Sequence, residues 1–177
     1  MKRASYAVTH PPAVAHPIHR RMLAEGIAQA DLLVWGPTDT VTTLTWFEGD
    51  PETVSTVVDA VETLTAAQLV AGDGGTYAFL HQTDFEFGAA VMDLVADARV
   101  AFVPPVRFRE KRVVRFEAVG DREGLAAFHD RLTDDFDADL ESVREFRRWG
   151  SASALTDRQR EALSAAVAVG YYDHPRT

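Results

Sequence analysis

The sequence contains no cysteine, and Lys2 and Lys111 are its only lysines. Without cysteine the chain forms no disulfide and has no thiolate nucleophile or cysteine-ligated metal site. It also lacks an apolar run long enough to span a bilayer, and its first residues do not form the apolar core of a signal peptide. We therefore expect a cytoplasmic protein without membrane segments.

Basic residues are also few, since 18 lysines and arginines face 27 acidic residues and the net charge is −9. A carboxylate-rich surface stays hydrated in concentrated salt, where the Debye length shrinks to about 3 Å at 1 M. The composition therefore fits a salt-adapted cytosolic protein. A mildly acidic protein encoded by GC-rich DNA is the alternative. At 177 residues and 46% hydrophobic content, we expect one compact domain with a short appendage.

A short motif occurs twice in the chain. Gly49-Asp50-Pro51-Glu52 recurs 71 residues later as Gly120-Asp121-Arg122-Glu123. The same offset of 71 residues aligns Val54, Val57 and Val61 with Leu125, Phe128 and Leu132, and both apolar triplets have helical spacing. The motif therefore predicts two amphipathic helices, each capped by an aspartate.

Runs rich in β-branched and aromatic residues flank both predicted helices. They are residues 32–35, 41–47 and 68–70 around the first helix, and 101–108, 113–119 and 139–143 around the second. This order predicts two strand-strand-helix-strand repeats, at about 31–72 and 101–143. A chance offset is the alternative, because Gly-Asp is a common helix cap.

Between the repeats, residues 76–80 predict a strand, and Phe87, Val91, Leu94 and Val95 mark one face of a further helix. Units of this kind form antiparallel or mixed sheets with helices on one face. We therefore predict an α+β fold, a ferredoxin-like or ACT-like sandwich, and not a doubly wound sheet. The two repeats could share one sheet or pack face to face.

The C-terminal segment has the pattern of a well-capped helix. Thr156 can cap the first turn while Gln159 bonds back to it. The Asp157 carboxylate lies in this first turn, where it interacts favourably with the positive end of the helix dipole. Small residues dominate its apolar side, and Gly170 can form the left-handed turn after it. The segment therefore predicts a helix that packs closely against another.

This segment also resembles a known family. The run from Leu155 to Arg176, with Thr156-Asp157-Arg158-Gln159-Arg160, Gly170-Tyr171-Tyr172 and Pro175-Arg176, resembles the helix-turn-helix domain of bacterio-opsin-activator-like regulators of halophilic archaea. His16-Pro17-Ile18-His19-Arg20-Arg21 is similar to the motif that opens the preceding domain in these proteins. Val103-Pro104-Pro105-Val106 is also similar to the family, so the resemblance extends over nearly the whole chain.

The resemblance implies gene regulation, with a regulatory or sensor domain at residues 1–150 and the first helix of a helix-turn-helix at 151–177. It also implies a second helix and a recognition helix after Pro175-Arg176, so we expect this module to be incomplete in the 177 residues. Either the chain is cut inside the module or the helix is retained for packing alone. The DNA-binding residues that the resemblance implies are Thr156, Arg158, Gln159, Arg160 and Arg176. The expected partners are DNA through the complete protein, an unidentified small-molecule effector and a second copy in a homodimer.

Other motifs predict little chemistry. His10, His16 and His19 could ligate zinc, but no fourth ligand is evident and Pro17 indicates a helix start. The glycine-rich residues 72–75 lie between two predicted strands and indicate a hairpin turn, not a phosphate loop. The acidic residues at 134–139 do not have calcium-loop spacing and indicate a solvated surface. We expect no metal and no cofactor.

We expect no enzymatic activity, because no nucleophile and base form a recognisable local pattern. His81 and His129 are candidate general bases, although single histidines beside apolar positions are more often structural. The basic run 107–112 could suit nucleic acid, and a hairpin turn with solvated arginines explains it as well. Two alternatives to a regulator stay open: a stand-alone small-molecule-binding module with its pocket between the repeats, and a dimerisation module that uses paired sheets or the helix 162–169.

Overall fold

The computed structural model describes residues 1–36, 41–84, 86 and 89–146. These residues form eight strands and four α-helices, which confirms the predicted α+β class. In chain order they are β1 Lys2–Thr9, α1 Pro17–Ala24, β2 Gln29–Trp35, β3 Val41–Phe47, α2 Pro51–Val58, β4 Leu64–Gly72, β5 Gly75–Gln82, α3 Ala89–Ala96, β6 Ala101–Arg109, β7 Val113–Gly120, α4 Arg122–Asp135 and β8 Asp137–Glu145. Even α4, the longest described helix with 14 residues, is shorter than the roughly 20 needed to span a bilayer, and no described helix is long and apolar enough to do so.

All eight strands form one antiparallel sheet in the order β4-β5-β3-β2-β6-β7-β1-β8. Strands β2 and β6 are the two at its centre. Buried and less buried residues alternate along β1, β3 and β5, as expected when one sheet face is covered. The register places the buried residues of neighbouring strands opposite each other, such as Thr43 beside Leu80 and Ala4 beside Ala118.

The covered face carries two separate hydrophobic clusters. The α4 cluster joins buried residues of β1, β7, α3 and α4, with Tyr6 and Phe128 as its largest side chains. The α2 cluster joins α1, β2, β3, β5 and α2, with Phe47 and Met22 at its centre. Each cluster occupies one half of the sheet, so the two ends of the sheet are covered independently.

The two aspartate-capped helices are confirmed. Asp50 accepts hydrogen bonds from the backbone N–H groups of Glu52 and Thr53, each at 3.0 Å, at the start of α2. Asp121 accepts one from Gly124 at 2.7 Å at the start of α4. All six residues of the predicted apolar triplets are buried: Val54, Val57, Val61, Leu125, Phe128 and Leu132. The prediction was wrong in placing Val61 on the first helix, because α2 ends at Val58 and Val61 follows it.

The predicted strands are confirmed, but β1 was missed. Its sequence alternates regularly, with Ala4, Tyr6 and Val8 buried and the residues between them less buried. The period-two signal was therefore present, but it is short and begins with two basic residues, and its pairing partners β7 and β8 lie more than 100 residues away. Only this distant pairing turns β1 into an inner strand. Pro17 opens α1, as predicted.

The glycine-rich residues 72–75 form the predicted hairpin turn. Gly72 and Gly75 are paired, and Gly74 has a φ of 71°, a left-handed value that favours glycine. Gly75 also packs tightly, because a Cβ at this position would lie 2.1 Å from the carbonyl oxygen of Phe47. The close approach of β5 to the end of β3 therefore requires glycine.

We expect Gly75→Ala to destabilise the fold by about 3 kcal/mol, since the added methyl group meets backbone and cannot be relieved by a side-chain rotation. Gly49→Ala is the matched control, because its Cβ would have ordinary contacts of 3.4–3.6 Å with Ile27 and Val54. Urea unfolding of both variants measures the difference. Equal midpoints for the two variants would show that the turn does not depend on this approach.

Candidate functional site

A cavity of about 490 Å³ lies on the covered face of the sheet. Its size falls within the range of about 300–1,000 Å³ that is typical of small-molecule sites. The central and neighbouring strands form one wall, through Leu32 of β2, Val106 and Phe108 of β6, and Val114 and Phe116 of β7. The cavity therefore covers the middle of the sheet, where the two hydrophobic clusters approach each other.

Helix α3 and the α4 cluster form another wall. Val91, Leu94 and Val95 come from α3, and Phe128 and Leu132 come from α4. Phe136, immediately before β8, also lines the cavity. The last described helix and the residue that follows it thus contact the same space as the central sheet.

The aromatic side of the cavity is a connected set of rings. Phe102 and Phe128 meet edge to face with centroids 5.7 Å apart, and Phe116 lies 5.7 Å from Phe102 and 6.1 Å from Phe128. Tyr6 stacks on Phe116 at 5.4 Å. Rings in such contacts hold one another in place, so this wall offers a rigid apolar surface.

Three histidines line the opposite part of the cavity: His10, His16 and His19. His10 Nε2 lies 2.9 Å from His19 Nδ1, and His19 Nε2 lies 2.9 Å from the carbonyl oxygen of Arg109. All three histidines are buried. The 3₁₀ turn Pro12–Val14 and the start of α1 bring them together, and the end of β6 supplies the carbonyl group.

The hydrogen-bond chain fixes the protonation of its rings. Because the Arg109 carbonyl only accepts, His19 Nε2 donates to it, and the neutral ring of His19 then accepts at Nδ1 from His10 Nε2. When the His10 ring is neutral, its one proton is on Nε2. Its Nδ1 then lies 3.2 Å from the Pro11 carbonyl oxygen and donates no hydrogen bond to it. The two polar atoms of His19 are therefore both used inside the protein.

His16 caps α1, since its Nδ1 accepts a hydrogen bond of 3.2 Å from the backbone N–H of Ile18. A ring that accepts at Nδ1 carries its proton on Nε2 when it is neutral. Burial lowers the pKa of His16 to about 4, although the nearby Glu86 carboxylate partly opposes the shift. Burial also lowers the pKa values of His10 and His19. The rings that line the cavity are therefore uncharged at neutral pH.

The three histidines that we considered as zinc ligands thus form a hydrogen-bond chain and a helix cap. His10 and His19 share one proton directly, an arrangement that leaves no room for a metal ion between their nitrogens. Within the described ranges, no group of three histidine, cysteine, aspartate or glutamate side chains is placed to hold a metal ion. The acidic residues 134, 135, 137 and 139 are exposed, as predicted.

The basic run 107–112 is a hairpin between β6 and β7, which confirms one of the two interpretations. The expectation that its arginines are solvated is wrong for Arg109, which is half-buried and bonds Asp31 at 2.7 Å. This half-buried carboxylate partner lies on β2, which pairs with β6. Arg112 also contacts the site region, since its Nε donates to the carbonyl oxygen of His10 at 3.2 Å.

The two histidines that we considered as general bases lie apart from this chain. His81 Nδ1 lies 2.9 Å from the hydroxyl oxygen of Thr42. The ring of His129 stacks on Tyr6 at 6.1 Å, and its Nδ1 is buried without a hydrogen bond. His81 therefore fits the interpretation of a structural histidine with a hydrogen-bond partner. His129 fits it less well, because its Nδ1 has no such partner.

Sequence reasoning missed the cavity itself, because a void is defined by side chains that fail to meet, and no local pattern signals it. The predicted DNA-binding residues Thr156, Arg158, Gln159, Arg160 and Arg176 lie outside the described residues. Their roles stay predictions.

We expect the free energy of unfolding to fall as the pH drops from about 6.5 towards 4. In this window the unfolded chain binds protons at His16 while the folded chain does not, because its pKa there is about 4. The loss from His16 alone is on the order of 3 kcal/mol. His16→Asn keeps an acceptor at the helix cap and removes the titration, so it should flatten this pH dependence.

Urea unfolding at several pH values measures the effect. His81→Asn is the control, since it removes a histidine from the other face of the sheet. If His16→Asn loses stability with acid as steeply as the unsubstituted protein, the buried neutral state of His16 is refuted.

In comparisons with known proteins, two family models match separate parts of the chain. A family model named HVO_0513_N, described as N-terminal, matches residues 16–146, which is well over half of the chain and includes most of the described residues that line the cavity. A second model, described as an HTH DNA binding domain and of the bacterio-opsin-activator type, matches residues 155–177. None of the curated proteins is a significant match.

Both models are those of a DNA-binding regulator and its N-terminal domain, and neither describes an enzyme. The chain belongs to the family of bacterio-opsin-activator-type helix-turn-helix regulators, with an HVO_0513_N domain before the DNA-binding region.

Proposed function

We propose that the N-terminal domain is a sensor that binds a small molecule in the cavity, and that occupancy controls DNA binding by the region from residue 155 onward. The observation that carries this proposal is the 490 Å³ apolar cavity inside a domain that precedes a DNA-binding domain in one chain. Domains without a ligand usually fill such a space with side chains, because voids weaken a core. Such a regulator would act in the cytoplasm, where it meets DNA.

The chain also offers a route from the cavity towards the DNA-binding region. Phe128 and Leu132 line the cavity from α4, and Phe136 lines it just before β8. Strand β8 ends at Glu145, ten residues before the DNA-binding match begins. A ligand that binds more tightly to one position of α4 would therefore favour that position. It would also favour the matching position of β8, the last described strand before that region.

The fold itself supports a duplicated origin for the sensor. The series β1-α1-β2-β3-α2-β4 is followed by β5-α3-β6-β7-α4-β8, and Val113 opens β7 72 residues after Val41 opens β3. A ferredoxin-like unit places its strands in the order fourth, first, third, second. One half of the sheet, β4-β5-β3-β2, follows that order with β5 in the place of β1. The other half, β8-β1-β7-β6, follows it with β1 in the place of β5. We therefore propose two ferredoxin-like repeats that swap their first strands, longer than the predicted 31–72 and 101–143.

The DNA-binding part of the proposal is tested with the protein encoded by the complete reading frame. We expect selection from random DNA to enrich one sequence motif. The Arg158→Ala/Arg160→Ala variant should bind that motif at least tenfold more weakly, because it loses two cationic side chains of the proposed interface. With a net charge of −9, we also expect affinity to fall with salt less steeply than for basic regulators.

Arg20→Ala/Arg21→Ala is the charge-matched control, since these arginines lie on α1 in the sensor domain. Their loss should leave DNA affinity within about twofold. Absence of DNA binding at every salt concentration, or equal loss in both double variants, would refute the assigned interface.

A homodimer is the second part of the proposal, and the two edges of the sheet favour one interface. The edge strand β4 contains no charged residue and is largely exposed, whereas the opposite edge β8 has five: Asp137, Asp139, Glu141, Arg144 and Glu145. Exposed edge strands normally have charges that prevent pairing with another chain. In an acidic protein, β4 is the edge at which a second copy could approach without charge repulsion.

We expect light scattering after size exclusion to give twice the chain mass, and Val70→Lys to convert the protein to a monomer, because a lysine on β4 opposes edge pairing. Val143→Lys is the matched control on β8: the two valines are 51% and 53% exposed. A monomer without substitution, or dissociation by both variants, would contradict pairing through β4.

A further inference from the structure

We infer that the cavity takes an uncharged, predominantly apolar molecule, such as one with a hydrocarbon chain or fused rings. This inference rests on the proposed ligand-binding function and assigns a chemical class to its ligand. It follows from what the walls of the cavity contain and from how their polar atoms are used.

The described part of the cavity wall offers no cation to an anionic ligand. Among the described residues that line the cavity there is no lysine or arginine, and most are aliphatic or aromatic. An anionic ligand in this space would lose its hydration and gain no basic partner, which is strongly unfavourable for a buried charge. Carboxylates and phosphates are therefore poor candidates.

The histidines do not replace the missing cation. His19 uses both ring nitrogens in its bonds to His10 and to the Arg109 carbonyl, and His16 uses Nδ1 to cap α1. Protonation would break the acceptor role of His19 Nδ1 or of His16 Nδ1. His10 donates to His19 through Nε2, and burial lowers the pKa of His10. The three rings therefore present uncharged faces and edges to the ligand.

A cationic ligand is disfavoured as well. Asp84 is the one carboxylate among the described lining residues, and it is exposed. An ion pair with an exposed carboxylate contributes little, because water competes for both charges. A buried amine would lose more in desolvation than Asp84 could return, so the cavity selects against charge of either sign.

The aromatic wall indicates which shape the cavity favours. Phe102, Phe116 and Phe128 form a continuous apolar surface, and α3 adds Val91 and Val95. Burial of apolar ligand surface against these side chains supplies the binding free energy in proportion to the area removed from water. A molecule with extended apolar surface would therefore bind more tightly than a compact polar one.

The test compares three nine-carbon compounds whose head groups are neutral, anionic and cationic: nonan-1-ol, nonanoate and nonylammonium. Each is titrated at pH 7 against the protein loaded with the uncharged dye Nile red, and the displacement gives its dissociation constant. We expect nonan-1-ol to bind at least tenfold more tightly than either charged compound.

Two substitutions in β7 locate the binding. Val114 faces the cavity, and its neighbour Val113 points to the other face of the strand and does not line the cavity. Val114→Phe should weaken nonan-1-ol binding at least tenfold by filling the space, and Val113→Phe should leave it within about twofold. Val91→Phe fills the cavity from α3 and repeats the test should Val114→Phe fail to fold.

The outcomes separate the two claims. If a charged compound binds within tenfold of nonan-1-ol or more tightly, and Val114→Phe weakens it, the ligand class is wrong while the proposed cavity function stands. If the folded protein binds neither Nile red nor any of the three compounds, or if Val113→Phe weakens binding as much as Val114→Phe, both the ligand class and the cavity function are overturned.

Discussion

The structure depends on the burial of one face of an eight-stranded sheet by four short helices. Each half of the sheet is covered by its own cluster, around Phe47 in one half and Tyr6 with Phe128 in the other. None of the described helices exceeds 14 residues, so the coverage is not continuous across the central strands β2 and β6. The cavity lies over this central region, and its existence is a consequence of covering a wide sheet from two ends.

The same constraint explains why the histidines are where they are. The helices leave a cavity over the middle of the wide sheet. His10, His16 and His19, which lie around the turn before α1 and in its first residues, form part of the wall of this cavity. Their bonds run to one another, to the start of α1 and to the Arg109 carbonyl, so they join the first helix to the end of β6. Buried histidines usually cost stability when they must stay uncharged. Here that cost is offset by hydrogen bonds that hold the cavity wall together.

Much of the fold could be predicted from the sequence because its signals are local. The Asp50 and Asp121 caps, the apolar triplets after them and the alternating strands each depend on residues within one or two turns or strand repeats. Strand β1 was missed because only pairing with β7 and β8, far along the chain, makes it an inner strand. The cavity and the His10–His19 bond were unpredictable for the same reason, because both depend on how distant elements pack. The pattern of His16-Pro17-Ile18-His19 indicated a helix start, a candidate metal site or a family motif, and none of these predicts a bond between His10 and His19.

The central claim is that the state of the cavity in the N-terminal domain determines how the complete protein binds DNA. The most direct measurement is the DNA dissociation constant, by fluorescence anisotropy, of the complete protein with Val114→Phe, which fills the cavity, and with Val113→Phe, which does not. Coupling between two sites in one protein is typically about 5-fold to 150-fold in affinity. We expect a change of at least about fivefold for Val114→Phe alone. If both variants bind DNA within twofold of the unsubstituted protein, the cavity does not control DNA binding.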